Sequence, residues 1–219
     1  VVGGGAAGML ASIIAAKNGC AVTLFEKNEK LGKKIYITGK GRCNVTNNCD
    51  PEELLHAVVS NPKFLYSAFY SFSSQDMMQL LEDAGVPLKT ERGNRVFPVS
   101  DHSSDIIHGL ERLMRKYRVQ IHLRSEVKNL LTENGIVTGI QLTDNKVSTA
   151  DAVIVATGGL SYPTTGSTGD GYRFAAETGH TVTECMPSLV PLTTKEAYIP
   201  LMKGLSLRNV ELTVKRGKK

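Results

Sequence analysis

One stretch constrains the fold more than any other: Val1-Val2-Gly3-Gly4-Gly5-Ala6-Ala7-Gly8, followed by an acid at Glu26. Val1-Val2 reads as the end of a strand. Residues 7–18 are small and apolar at helical spacing, and Asn18-Gly19 stops them. Ala21 to Glu26 (AVTLFE) is then a buried strand. The unit is β-α-β, with Gly3-x-Gly5-x-x-Gly8 at its first turn. Gly3 makes the tight turn, Gly5 lets backbone approach a pyrophosphate, and Gly8 lets the helix pack on the strand. Ala6 and Ala7 open the helix, so its unpaired N–H groups and positive dipole end face the phosphates. Glu26 closes the next strand, 18 residues after Gly8, where an acid accepts hydrogen bonds from a ribose. That acid, with Lys27 behind it, argues against a 2′-phosphate. A tight β-α turn without a ligand is the competing reading, but the strand, the small-residue helix and the acid agree on a dinucleotide. The fingerprint leaves NAD and FAD open.

The chain is long enough, at 219 residues, for one large domain or one and a half. Hydrophobic residues at 41% and charged residues at 21% exclude a disordered chain or a collagen, and four cysteines exclude a disulfide scaffold. No apolar run reaches the ~18 residues of a membrane span. The net charge of +5 is concentrated at the end, where Lys215, Arg216, Lys218 and Lys219 lie; without them the balance is 22 basic to 21 acidic. It is therefore not a nucleic-acid footprint. Eleven of the 21 glycines fall in four short clusters, around 3–8, 39–41, 158–159 and 166–171, which places them in loops pressed against a ligand.

Along the chain, a long polar loop spans Lys27 to Asp50. Segments 51–59, 62–72 and 74–84 read as short helices, the first with Asp50 as N-cap and Pro51 at N1. Val86–Thr90 and Arg95–Pro98 form a hairpin around Gly93-Asn94. Ser100 or Asp101 caps a strongly amphipathic helix over 103–117. Strands follow at 119–123, 125–132, 136–143 and Ala152–Ala156. A second Gly-rich loop runs from Gly158 to Gly171, then a helix over 171–178 and a strand over 181–184. The expected organisation is a binding domain over 1–190, with a helical insertion at about 51–117, and the start of a β-rich domain over 191–219. Val1-Val2 reads as the stump of a longer strand, and 210–215 alternates like a strand without a partner. A piece of a longer protein is expected.

Three motifs together carry a resemblance: Val1–Gly8 with Glu26; Leu31-Gly32-Lys33-Lys34 through Gly39-Lys40-Gly41-Arg42-Cys43-Asn44-Val45-Thr46-Asn47; and Ala156-Thr157-Gly158-Gly159 continuing to Gly166-Ser167-Thr168-Gly169-Asp170-Gly171. The chain resembles the BaiN-like family of NAD(P)/FAD-dependent oxidoreductases, also described as aminoacetone-oxidase-family FAD-binding proteins. Ser12 stands where the family fingerprint usually has Ala, and Lys40 where a third Gly is common. The resemblance implies a glutathione-reductase-type FAD-binding α/β domain with a parallel sheet and a β-meander. It implies FAD bound at Gly3, Gly5, Ala6, Ala7, Gly8, Glu26, Lys27 and Lys34. Gly39, Gly41, Arg42, Cys43 and Asn44 are expected near the pyrophosphate or flavin ring, Val127 at the adenine, Ala156 and Thr157 at the cofactor, and Gly158 and Gly159 near the ring. The residues agree: Arg42 offers a charge-assisted partner to an anion, and Asn44, Thr46 and Asn47 offer donors and acceptors to a flat heteroaromatic ring. Tyr162 and Asp170 are candidates to touch substrate.

The expected function is hydride transfer from NAD(P)H through flavin to a small organic acceptor, such as a conjugated C=C. No nucleic acid or membrane is expected as a partner, the oligomeric state is left open, and no residue is singled out as catalytic acid or base. A non-catalytic FAD or NAD module is the rival. A flavin disulfide reductase using Cys43 and Cys49 is another, but five residues separate them where four are usual. Cys20, Cys43, Cys49 and Cys185 form no CxxC, so no zinc site is expected, and unpaired thiols fit a reducing cytoplasm. His56, His102, His108, His122 and His180 show no ligand spacing.

Overall fold

The computed structural model describes residues 1–187, 193–207, 210, 211 and 213. It divides into two units, Val1–Val182 and Thr183–Lys219. In the second, the described residues hold a 3₁₀ turn, Ile199–Met202, and no strand. Half of the strand expected at 210–215, and residues 188–192 around the boundary expected after 190, lie outside the described residues.

In the first unit, α1 (Ala6–Lys17) leads to β1 (Thr23–Phe25). Short helices follow, α2 (Pro51–His56), α3 (Tyr66–Ser71) and α4 (Ser74–Asp83). Then come the hairpin β2 (Leu88–Glu91) and β3 (Arg95–Pro98), α5 (Ser103–Lys116) and β4 (Gln120–His122). A meander of β5 (Val127–Glu133), β6 (Ile136–Leu142) and β7 (Val147–Thr149) precedes α6 (Asp170–Glu177). β1 pairs in parallel with β4, Leu24 opposite Ile121. Val2 bridges Phe25 on one side and Val155 on the other, both in parallel. The order across the sheet is thus 120–122, 23–25, 2, 155, the Rossmann-type arrangement that the β-α-β fingerprint predicts. Parallel neighbours need a crossover, and α1 supplies the one between Val2 and β1.

Three expectations change, and a fourth gains detail. Ala152–Ala156 forms no full strand and bridges only at Val155, to Val2. Val2 N donates to the Ile154 carbonyl and Ala156 N donates to the Val2 carbonyl, each at 2.8 Å. Residues 181–184 pair with nothing among the described residues and form no strand. α5 falls within the helical insertion expected at about 51–117 and packs into the main core. Its stripe of Ile106, Ile107, Leu110 and Met114 is buried in one core with Met9 and Ile13 of α1, each side chain contributing about 1.5–3 kcal/mol. The piece without a buried residue is α2 and α3 with the 3₁₀ turn between them. Finally, His102 is the N-cap of α5 and makes no side-chain cap bond; Asp101 has a left-handed φ of 59° and its carboxylate is engaged elsewhere. A second core of Val2, Phe25, Val127, Ile140 and Phe174 ties the sheet to the meander and α6. Among the described residues, no helix is long and apolar enough to cross a membrane.

Ser12 lies inside α1, fully buried, and its hydroxyl has no hydrogen-bond partner. An unmet buried hydroxyl costs about 1–3 kcal/mol. Ser12→Ala is therefore expected to raise the melting temperature by roughly 2–4 °C per kcal/mol gained. A thermal melt that falls would show that the hydroxyl is satisfied.

Candidate functional site

The Gly turn ends in a cleft of about 600 Å³ between the first and second Gly-rich loops, within the range of small-molecule and cofactor sites. Gly5 is the N-cap of α1. No side chain caps this helix and its first turn carries no acid, so the N–H groups at its start are left for a ligand. The glycines have separate duties. A Cβ on Gly8 would lie 1.8 Å from the Gly3 carbonyl oxygen, and one on Gly3 (φ +104°) 2.5 Å from the Ala156 oxygen. Those two pack the turn. A Cβ on Gly5 would meet nothing within 4 Å; that space belongs to the cleft.

Glu26 is 7% exposed. Its Oε2 accepts from Gly4 N at 2.6 Å, and its Oε1 accepts from Asn28 N at 2.7 Å and Asn28 Nδ2 at 2.6 Å. The acid is thus built into the Gly turn while it lines the cleft. Asn28 also donates to the Thr165 carbonyl at 3.1 Å. Two lysines complete the link to the second loop. Lys27 Nζ donates to Thr168 Oγ1 (2.6 Å) and Asp170 Oδ2 (2.8 Å), and Lys34 Nζ to the Ser161 carbonyl (2.8 Å) and Ser167 Oγ (2.7 Å). Burial pushes the Asp170 carboxyl up, but the bonds from Lys27 and Thr168 and the nearby charges of Lys27 and Arg173 hold it below its ordinary value.

Of the residues expected from sequence, the structure brings together at the cleft Gly3, Gly5, Ala6, Ala7, Glu26, Lys27, Lys34, Val127, Ala156, Thr157, Gly158 and Gly159. Gly8 stands behind them as packing. Asp170 lines the cleft, whereas Tyr162 does not and is exposed. Asn28, Thr38 and Ser167 line it too and escaped the sequence reading as individual ligands.

Gly39, Gly41, Arg42, Cys43 and Asn44 do not line the cleft. The loop from 27 to 50 instead winds through 3₁₀ turns over Ile35–Gly41, broken at Thr38, Gly39 and Lys40. Lys40 is left-handed, φ 59°, which is why Gly suits that position. Residues 45–47 then pair with β3: Val45 N donates to the Val96 carbonyl at 2.8 Å and Val96 N to the Thr46 carbonyl at 3.0 Å. Thr46 Oγ1 bonds Ser74 Oγ, and Asn47 Nδ2 donates to the Gly93 carbonyl, so these side chains hold the loop. Arg42 stacks on Phe97, 4.1 Å from its centroid. Its guanidinium binds Glu91 and Asp101, with Nε donating to Asp101 Oδ1 at 2.8 Å. Lys89 donates to Asp101 Oδ2 at 2.8 Å. Arg42 is thereby a clamp between the loop, the hairpin and the approach to α5.

This clamp has a pH signature. The Arg42 bond holds the Glu91 carboxyl below its ordinary value, and bonds from Lys89 and then Arg42 do the same for Asp101. Depressed carboxyls stabilise the fold above their unfolded pKa, and that contribution is lost as pH falls through the folded value. Stability is expected to decline in the acid range below about pH 5. Arg42→Ala should lower the melting temperature at neutral pH and flatten that decline. Parallel curves for both chains would refute the clamp.

Burial pushes the Cys43 thiol up, against a lowering bond from Thr38. Burial, with Glu53 and Asp50 nearby, pushes the Cys49 thiol up. Both shifts disfavour the thiolate that a redox pair requires. All four cysteines are free thiols, and no metal-holding cluster occurs among the described residues.

The family described as HI0933-like protein Rossmann domain matches residues 1–213. A 3-dehydro-bile acid delta(4,6)-reductase of Clostridium scindens is 33% identical over 211 residues, 95% of this chain and 50% of the relative. A ribosomal RNA dihydrouridine synthase of Haemophilus influenzae is 32% identical over 212 residues, 94% of this chain and 52% of the relative. The chain thus spans about half the length of these curated relatives. Among solved structures, the open conformation of a flavocytochrome c3 fumarate reductase shares the fold, with a TM-score of 0.59, 24% identity, and coverage of 81% of this chain and 39% of that one.

Proposed function

The chain belongs to the HI0933-like family whose Rossmann domain it carries, and on that premise we propose that it binds FAD and works as an oxidoreductase. One observation carries the reading. The uncapped start of α1, the open side of Gly5 and the buried Glu26 carboxylate meet in one cleft, so phosphate and ribose recognition stand side by side. The residues fit an extended FAD. The N–H groups at the start of α1 would hold the pyrophosphate, Glu26 the adenosine ribose and Val127 the adenine, while Gly158 and Gly159 present backbone to the ring. Bound FAD supplies the two-electron chemistry, and the protein supplies binding, orientation and electrostatics. Lys27, Asn28 and Lys34 act one step back, pinning the second loop to the first.

We take NAD(P)H as the electron donor and a small unsaturated molecule as the acceptor, with no nucleic acid or membrane involved. The small-molecule choice follows the name of the 3-dehydro-bile acid delta(4,6)-reductase; the ribosomal RNA dihydrouridine synthase names a nucleic acid instead, and the test below separates the two. The free thiols support a reducing, cytoplasmic setting. The test uses the full chain as purified. FAD, not FMN, should be released on denaturation. The bound flavin should bleach anaerobically with NADH or NADPH and reoxidise with an enone or a uridine-containing RNA, the latter outcome moving the acceptor to nucleic acid. Flavin that neither nucleotide reduces and no acceptor reoxidises would indicate a non-catalytic module. Colourless protein that takes up NAD alone would sink the FAD reading.

A further inference from the structure

Ser167 is 6% exposed and lines the cleft. A hydroxyl offers one donor and two acceptor lone pairs. One lone pair accepts from Lys34 Nζ at 2.7 Å. Among the described residues, no protein acceptor takes the hydroxyl proton. A buried donor without a partner costs stability unless something else completes it, and the remaining neighbour of this hydroxyl is the cleft. The position is also built. Gly158 has φ +76°, and a Cβ there would fall 2.6 Å from Ser167 Oγ; the glycine therefore makes room for this oxygen. Lys34 spends two of its three donors on the turn, one on Ser167 and one on the Ser161 carbonyl at 2.8 Å. A cation donating to a hydroxyl fixes its lone pairs and strengthens the hydrogen bond that it gives in turn.

We propose that Ser167 donates a hydrogen bond to an acceptor atom of the bound dinucleotide, and that Lys34 is the positioning residue that orients it. The inference rests on the FAD reading for the identity of the ligand. Two kinds of acceptor share this chemistry, a phosphate or ribityl oxygen and a carbonyl or nitrogen of the flavin ring.

Titration of the flavin-free full chain with FAD, followed by fluorescence, tests the proposal. Ser167→Ala should weaken binding about tenfold, the equivalent of roughly 1.4 kcal/mol, while the flavin-free chain melts only slightly lower, because Lys34 keeps its bond to the Ser161 carbonyl. Lys34→Met should weaken binding as well. The double variant should bind no worse than the weaker single variant, because Lys34 acts through Ser167. A shifted visible band of the bound flavin in Ser167→Ala assigns the acceptor to the ring; an unshifted band with changed phosphorus resonances assigns it to the phosphates. Unchanged affinity in Ser167→Ala overturns the proposal alone, and strictly additive losses overturn the role of Lys34. A parent chain that takes up no FAD overturns this inference together with the reading beneath it, so the two failures are distinguishable.

Discussion

Glu26→Ala is expected to lower FAD affinity by about 10–150-fold, the loss of one charge-assisted hydrogen bond worth roughly 1.5–3 kcal/mol. The geometry adds a second effect. Gly4 is buried and its N–H donates to Glu26 Oε2 at 2.6 Å. Without that acceptor a buried N–H inside the Gly turn loses its partner, so the flavin-free chain should also melt lower. Asn28 loses its hold on Oε1, and with it one anchor of the second loop at Thr165. The two effects separate with Glu26→Gln. Its amide oxygen still serves one donor, while its NH₂ faces the other donors and repels them. Glutamine should therefore restore part of the melting temperature and less of the affinity. The visible spectrum of the bound flavin should keep its shape in both variants, since the acid is assigned to the adenosine end. If Glu26→Ala melts lower but binds FAD as tightly as the parent, the acid serves the turn alone and the ribose assignment is lost.

The first Gly loop was legible because its chemistry is local. Gly3, Gly5, Gly8 and Glu26 are spaced along one β-α-β unit; the structure brings Gly3, Gly5 and Glu26 to one cleft with Val127, Thr157 and Gly158 and sets Gly8 behind them as packing. The amphipathic stripe of α5 was legible for the same reason, although its periodicity said nothing of its partner, α1. Arg42 shows where such reasoning stops. Its loop offers two glycines and a cation, the composition of an anion site, but its partners Glu91 and Asp101 lie 49 and 59 residues on, and no local pattern announces them. The partners of Thr46 and Asn47 were hidden likewise, since pairing of 45–47 with β3 is a tertiary event. Asn28 and Ser167 were missed for the opposite reason. Each is a small polar residue in a polar loop, and only the positions of the Glu26 carboxylate and the Lys34 ammonium give it a role.

Gly8→Ala and Gly5→Ala should fail in different ways, although each adds the same methyl group to the same turn. At Gly8 the methyl would sit 1.8 Å from the Gly3 carbonyl oxygen. That neighbour is backbone, and it cannot move without opening the turn that sets Gly3 against Ala156. Overpacking of this kind costs about 1–3 kcal/mol and occasionally more; with rigid backbone on one side and a helix on the other, the upper end is expected. The flavin-free chain should then melt roughly 6–12 °C lower, and FAD should fail to restore the parent's value. At Gly5 the backbone is extended, with φ −80° and ψ −172°, and the methyl meets no atom within 4 Å. Loss of Gly at an N-cap costs a fraction of a kcal/mol to about 1 kcal/mol, partly offset by a stiffer unfolded chain. The flavin-free fold should barely change. The methyl would, however, occupy the space through which the phosphates reach the N–H groups of α1, so FAD affinity should drop by more than tenfold. Melting curves with and without FAD distinguish the two variants in one experiment. Full FAD affinity in Gly5→Ala would mean that the phosphates are not held at this turn, and the cleft would need a different occupant.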